Sequence, residues 1–145
     1  MILLDTNIVS EVMRARPEPR VMAWLRLKPP QELATTTITL AEIGVGLARL
    51  PESRRRFTLE AKFQAFVSRG LGPRVFAFDA AAAAVYGEMV AARERAGRPL
   101  NGFDGLIAAI ARARDAAIAT RNAGDFADCG VPIMNPWDEL GPGAP

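Results

Sequence analysis

The sequence predicts an α/β fold, a doubly wound and mainly parallel sheet flanked by helices on both faces. Three observations point to it. Short apolar or β-branched stretches recur at Ile2–Leu4, 33–38, 75–78 and 117–120, with 131–134 as a further candidate strand. Between them lie segments whose apolar residues repeat at helical spacing, and alternating strands and helices pack as a mainly parallel sheet with helices on its faces. The chain has 145 residues, half of them hydrophobic, enough to bury one good core.

Each element follows from its local pattern. The first strand closes on Asp5, and Ile8, Val9, Val12 and Met13 mark the helix after it. Val21, Trp24 and Leu25 mark a second, short helix that stops before Pro29 and Pro30. Leu40, Ile43, Leu47 and Leu50 form the stripe of a third, and Leu59, Phe63, Phe66 and Val67 that of a fourth. Ala82, Val85, Tyr86, Met89 and Val90 belong to the longest helix, with Asp79 as its N-cap. Phe103, Leu106, Ile107 and Ile110 belong to the last. Gly and Pro residues at 70–73 and 97–99 close the helices before them. We therefore expect one domain over residues 1–140 and a loose tail at 141–145, with no internal repeat.

Composition narrows the chemistry. The sequence contains no histidine, which removes Ser-His-Asp and Cys-His catalysis and every His-containing zinc site. No G-x-G-x-x-G or G-x-x-x-x-G-K-[ST] follows a strand, so a dinucleotide site is disfavoured. Cys129 is the single cysteine, no secretory leader pattern precedes Asp5, and no apolar run approaches the roughly 20 residues that span a bilayer. A cytoplasmic, membrane-free protein is expected. Sixteen of the eighteen basic residues are arginine and the isoelectric point is about 9.2, although net charge is only +2. Arginine grips phosphate bidentately, which agrees with a nucleic-acid ligand. Compositional bias explains much of the total, so local placement has to decide.

What remains for catalysis is carboxylate. Asp5, Glu42, Asp104 and Asp125 all stand just beyond strand ends or in first helical turns, on the edge where open α/β sheets bind ligands. Each also has a purely structural reading. Asp5 can cap the helix that follows it. Thr39-Leu40-Ala41-Glu42 matches a capping box, in which the glutamate reaches back to the cap amide. Asn101 can cap a helix whose dipole favours Asp104, and 120–126 can be a polar turn. Two carboxylates ~5 Å apart repel by about 3 kcal/mol at an effective dielectric near 20, so four in one cleft require a cation or raised pKa values.

In order along the chain, Met1 to Asn7 (MILLDTN), Thr39 to Gly46 (TLAEIGVG), Gly97 to Ala109 (GRPLNGFDGLIAA) and Ala119 to Phe126 (ATRNAGDF) resemble the four motifs of the PIN-domain ribonucleases. The likeness is strongest to the VapC-type toxins of toxin–antitoxin modules, the FitB-like proteins included, and the ending Ile133-Met134-Asn135-Pro136-Trp137 is similar as well. The resemblance implies a doubly wound parallel sheet, a homodimer, Mg²⁺ or Mn²⁺ in an acidic cleft, and cleavage of structured RNA such as tRNA or rRNA. It also implies a small antitoxin that blocks the cleft.

On that footing Asp5 and Asp104 are expected to ligate the metal directly, with Glu42 and Asp125 acting through water or on a second ion. Thr6, Asn7, Thr120 and Asn122 are the expected supporting donors. Arg98 and Arg121 are candidates for RNA phosphate contact. The run Arg54-Arg55-Arg56 is either a further phosphate contact or a solvated face. Two alternatives stay open: a small-molecule phosphatase with Asp5 as nucleophile, which would usually want an acid where Asn7 stands, and a silent PIN-like module that binds RNA or protein.

Overall fold

In the computed structural model, which describes residues 1–138, all three residues of β1 (Ile2–Leu4) are buried, but on opposite sides. Leu3 joins one apolar cluster, and Ile2 and Leu4 join another. A strand covered on both faces must lie in the middle of a sheet between two helical layers. β1 has β2 (Leu33–Thr36) on one side and β4 (Ala117–Ala119) on the other, both parallel to it. β3 (Val75–Phe76) and β5 (Ile133–Met134) extend the sheet to the order β3-β2-β1-β4-β5, with every neighbouring pair parallel.

The helices divide between the faces. α1 (Thr6–Met13), α2 (Pro19–Arg26) and α3 (Thr37–Ala48) bury Ile8, Val9, Val21, Trp24, Ile43 and Leu47 against Ile2, Leu4 and Ala119, and α4 (Arg54–Ala65) adds Leu59 and Phe63 at the margin. On the other face α5 (Ala80–Arg95) and α6 (Gly102–Ala113) pack Met89, Ile107 and Ile110 against Leu3, Ala34 and Ile118. The chain builds β2 and β3 on one side of β1, then crosses back to place β4 and β5 on the other. Connections leaving β1 and β4 therefore diverge, and the crevice beyond their carboxyl ends is the ligand site of such folds.

Element identities agree with the sequence reading, and the boundaries shift for local reasons. β2 ends at Thr36 instead of 38 because the Thr36 hydroxyl accepts from the Thr39 amide at 3.1 Å and starts α3 there. The Thr39–Glu42 capping box is thus not formed: Thr39 is the third residue of the helix, and Glu42 is free for another role. β3 stops at Phe76, after which Asp79 caps α5 by accepting from Ala82 at 3.0 Å. α4 continues into a wider π-type turn, Phe66–Leu71, that Gly72 ends with φ 58°, and Gly97 with φ 74° follows α5. Among the described residues no helix is long and apolar enough to cross a membrane. The tail at 141–145 and the last two residues of the expected domain lie outside the described residues.

Ile118 is fully buried on β4, beside the central strand. Ile118→Ala should cost about 2–5 kcal/mol, and removal of the cap in Asp79→Ala about 1 kcal/mol. Urea unfolding with an unchanged slope checks both values.

Candidate active site

Asp5 follows β1 directly, and its amide donates to the Ala119 carbonyl of β4 at 3.0 Å, so the sheet ladder itself fixes its backbone. The side chain is 5% exposed. Oδ1 accepts from the Thr6 amide at 2.8 Å, which caps α1, and Oδ2 accepts from the Thr120 hydroxyl at 2.8 Å. The capping role is real, therefore, and it does not exclude a second one. Asn7 strengthens the junction: its amide nitrogen donates to Thr120 Oγ1 at 3.2 Å and to Asp5 Oδ2 at 3.4 Å, while its oxygen accepts from the Arg121 amide at 3.1 Å. Thr120 also accepts from the Asn122 amide at 3.0 Å. Of the four expected supporting residues, Thr6, Asn7 and Thr120 act through side chains and Asn122 through its backbone.

The other acids converge on this junction from three elements. Glu42, halfway along α3, accepts from the Thr6 hydroxyl at 3.0 Å, which joins two motifs 36 residues apart. Asp104 stands in the first turn of α6, whose cap Asn101 accepts from the Asp104 amide at 2.9 Å. Asp125 lies in the 3-10 turn Ala123–Phe126 after β4. Electrostatics tie the group together. Burial, then repulsion from Asp5, Asp125 and Glu42, pushes the Asp104 carboxyl up to about 6, against a smaller opposing pull from Arg93. Burial also raises Asp5 despite the hydrogen bonds from Thr120 and Thr6, with Asp125 adding to the rise. Glu42 is raised by burial, opposed by the Thr6 hydrogen bond and reinforced by Asp5.

An all-oxygen set of mutually repelling carboxylates suits a hard divalent cation. Among the described residues no three acids converge closely enough to cage one ion by themselves. Mg²⁺ asks for less, since it retains several waters and binds through one or two carboxylates plus substrate phosphate. The residues present fit that mode.

The arginines separate by environment. Arg121 is pinned through its amide to Asn7 and through its carbonyl, which accepts from Asn135 at 3.4 Å, and its guanidinium lies 5.1 Å from the centre of the Trp137 ring. Arg98 is paired with Asp128. Arg56 turns away to Glu60 at 2.7 Å and the Leu50 carbonyl at 3.1 Å. Arg54 and Arg55 instead line a groove of about 1070 Å³ that starts at Thr6 and Glu42. Its floor includes Met13, Ile43, Leu47, Leu50 and Leu59, and Arg14, Arg16 and Lys62 join the two arginines as lining cations. The sequence reading did not reach this groove. It also missed Arg93, 5% exposed beside the acids, although an arginine four residues after Met89 on a core-facing stripe was a legible signal.

The PIN domain family model matches residues 2–130. VapC ribonuclease Y4jK of Sinorhizobium fredii is 36% identical over 138 residues, covering 95% of this chain and 99% of the relative. Toxin FitB of Neisseria gonorrhoeae is 33% identical over 139 residues, covering 96% of this chain and 100% of the relative. The crystal structure of FitAcB from Neisseria gonorrhoeae superimposes with a TM-score of 0.88 at 33% identity, covering 95% of this chain and 99% of that one. The chain belongs to the PIN-domain family, among its VapC- and FitB-type members.

Raised acids make stability depend on pH in a definite direction. From an unfolded value of 3.8 up to about 6, native Asp104 holds a proton that the unfolded chain releases. Its stabilising contribution is complete below that range and is lost as pH rises through about 6. In EDTA at neutral pH, Asp104→Asn should therefore be more stable than the parent by about 1–2 kcal/mol, after a discount for partial exposure, and the difference should vanish in acid. Urea unfolding across that pH range checks the sign.

Proposed function

We propose that this chain is the toxin of a type II toxin–antitoxin module, a Mg²⁺- or Mn²⁺-dependent endoribonuclease that hydrolyses phosphodiester bonds in structured RNA such as tRNA or rRNA. The observation that carries it is the accumulation of four carboxylates at the switch point of the sheet, with Asp104 displaced to about 6 by burial and then by the other three. Such a cluster is costly until positive charge enters it, and a divalent cation would supply that charge. Family membership supports the nuclease class.

Asp5 and Asp104 would hold the cation, with Glu42 and Asp125 at its margin. When bound, a divalent cation supplies positive charge against the phosphodiester transition state and acidifies the attacking water. The chain's own residues do the placing. Thr120 and the Thr6 amide hold both Asp5 oxygens, so one rotamer is kept. Thr6 turns Glu42 toward the same point. Arg121, braced at its backbone and stacked on Trp137, presents a charge with little freedom left to lose on meeting a phosphate. At Arg98 a phosphate contact has to displace the pair with Asp128.

A phosphatase that uses Asp5 as nucleophile fits less well. Position 7, where such an enzyme usually carries its second acid, holds an amide committed to Thr120 and Arg121. The groove suits the expected antitoxin. An apolar floor among Arg14, Arg16, Arg54, Arg55 and Lys62 is complementary to an amphipathic segment with acidic flanks. The expected assembly is a homodimer that binds this partner.

Asp5→Asn and Asp104→Asn should each abolish Mg²⁺- or Mn²⁺-dependent cleavage of total RNA, mapped as new ends, while remaining folded. Divalent ions should raise the melting temperature of the parent and do so far less in either variant. Uncut RNA together with an unchanged melt would remove the nuclease assignment.

Expressed alone, the parent chain should arrest growth and Asp5→Asn should not. Coexpression with the neighbouring gene should restore growth and yield a copurifying small protein. The double charge reversal Arg54→Glu with Arg55→Glu should reduce that copurification roughly tenfold or more at low salt, as expected for lost steering and like-charge contact. Equal growth on parent and Asp5→Asn, with no partner recovered, would refute the toxin role.

A further inference from the structure

Arg93, on the last turn of α5, is as buried as Asp5. Among the described residues no carboxylate lies within ion-pair distance of it. Its hydrogen bonds go to two backbone carbonyls on separate segments. Nε donates to the Arg98 carbonyl at 2.6 Å, and Nη1 donates to the carbonyl of Ala127. The Arg98 peptide is held from both sides, because its amide donates to the Arg93 carbonyl at 3.0 Å. The Arg98 guanidinium then reaches Asp128, next to Ala127.

The two gripped carbonyls flank the acid cluster in sequence. Arg98 precedes the α6 cap Asn101 by three residues, and Asp104 follows that cap by three more. Ala127 follows Asp125 by two. A guanidinium satisfied by carbonyls alone leaves a buried charge unpaired, which is costly, and an apolar residue at this point of the α5 stripe would avoid that cost. What the arginine adds is geometry: rigid, coplanar N–H donors let one side chain hold two segments at a set distance. The negative field of the acids offsets its burial, and Arg93 is the cation that acts on Asp104 against them.

We propose that Arg93 is a positioning residue for the acid cluster, tying the segment that leads into Asp104 to the segment that follows Asp125 and so setting the separation of two carboxylates carried on different elements. The catalytic consequence rests on the nuclease assignment above, whereas the tie itself does not.

Hydrogen exchange of the full-length, metal-free chain tests the tie. In Arg93→Met, which keeps the stem, and in Arg93→Lys, which keeps the charge but not the fork, amide exchange over 98–105 and 122–130 should accelerate about tenfold or more in both segments together, with 6–13 and 80–90 unchanged. Arg93→Lys should also lower kcat for RNA cleavage roughly tenfold while KM stays within about twofold, a split that general loss of folded protein does not produce. The Mn²⁺ concentration for half of the melting-temperature rise should increase in the same variant. Exchange equal to the parent in Arg93→Lys, or loosening of one segment alone, overturns the proposal, and Arg93→Lys is decisive even where Arg93→Met fails to fold. A parent that neither cleaves RNA nor responds to Mn²⁺, with both segments still loosening together in the variants, upholds the tie and removes the nuclease assignment instead.

Discussion

The hydrogen bond from Thr120 to Asp5, 2.8 Å long and spanning 115 residues of sequence, is the contact on which the site depends. It joins the carboxyl ends of β1 and β4, the two strands whose connections diverge. The Asp5 amide meets the Ala119 carbonyl one step earlier, so sheet register and side-chain placement are a single event. A one-residue slip of β4 would turn Ile118 to the wrong face and carry Thr120 away from Asp5. Selection of the correct core thus also selects the correct site. Asn7 extends the same junction to Arg121, and Thr6 extends it to Glu42.

Gathering acids in this crevice works against the stability of the fold. Burial and mutual repulsion leave Asp5, Glu42 and Asp104 with raised proton affinity, so the native state carries an unfavourable charge distribution at neutral pH. The sheet tolerates it because a core that buries Leu3, Leu4, Ile107, Ile110 and Ile118 almost completely supplies the surplus. Under the proposed function, positive charge entering the crevice would return the free energy that repulsion among the acids withholds.

Much of the fold was legible locally. Apolar strands, helical stripes and the Asp79 and Asn101 caps need only a few neighbouring residues to form, and each stands where the sequence indicated. The capping box at Thr39 shows the limit of that logic. Thr39 offered a start for α3, but β2 pairing carries the chain in extended form only through Thr36, whose hydroxyl caps the helix instead. Local propensity could not weigh that pairing. The arginine run shows the same limit, since Arg56 finds Glu60 one turn on while Arg54 and Arg55 face a groove built by α1 and α3.

The sequence by itself limited the chemistry open to the chain: without histidine, and with four acids at breaks between apolar and polar segments, carboxylate was what remained for a catalytic centre. It also determined an α/β sheet of strands and helices in order, because periodicity is a property of short windows. Only the tertiary structure decided that Asp5 serves at once as cap and cluster member, that Glu42 answers to Thr6 and not to its own helix start, and that Arg93 enters the neighbourhood of Asp104. The physical reason is range. Capping and amphipathicity are settled within one or two turns, whereas desolvation and repulsion among carboxylates arise when packing brings residues tens of positions apart into one crevice.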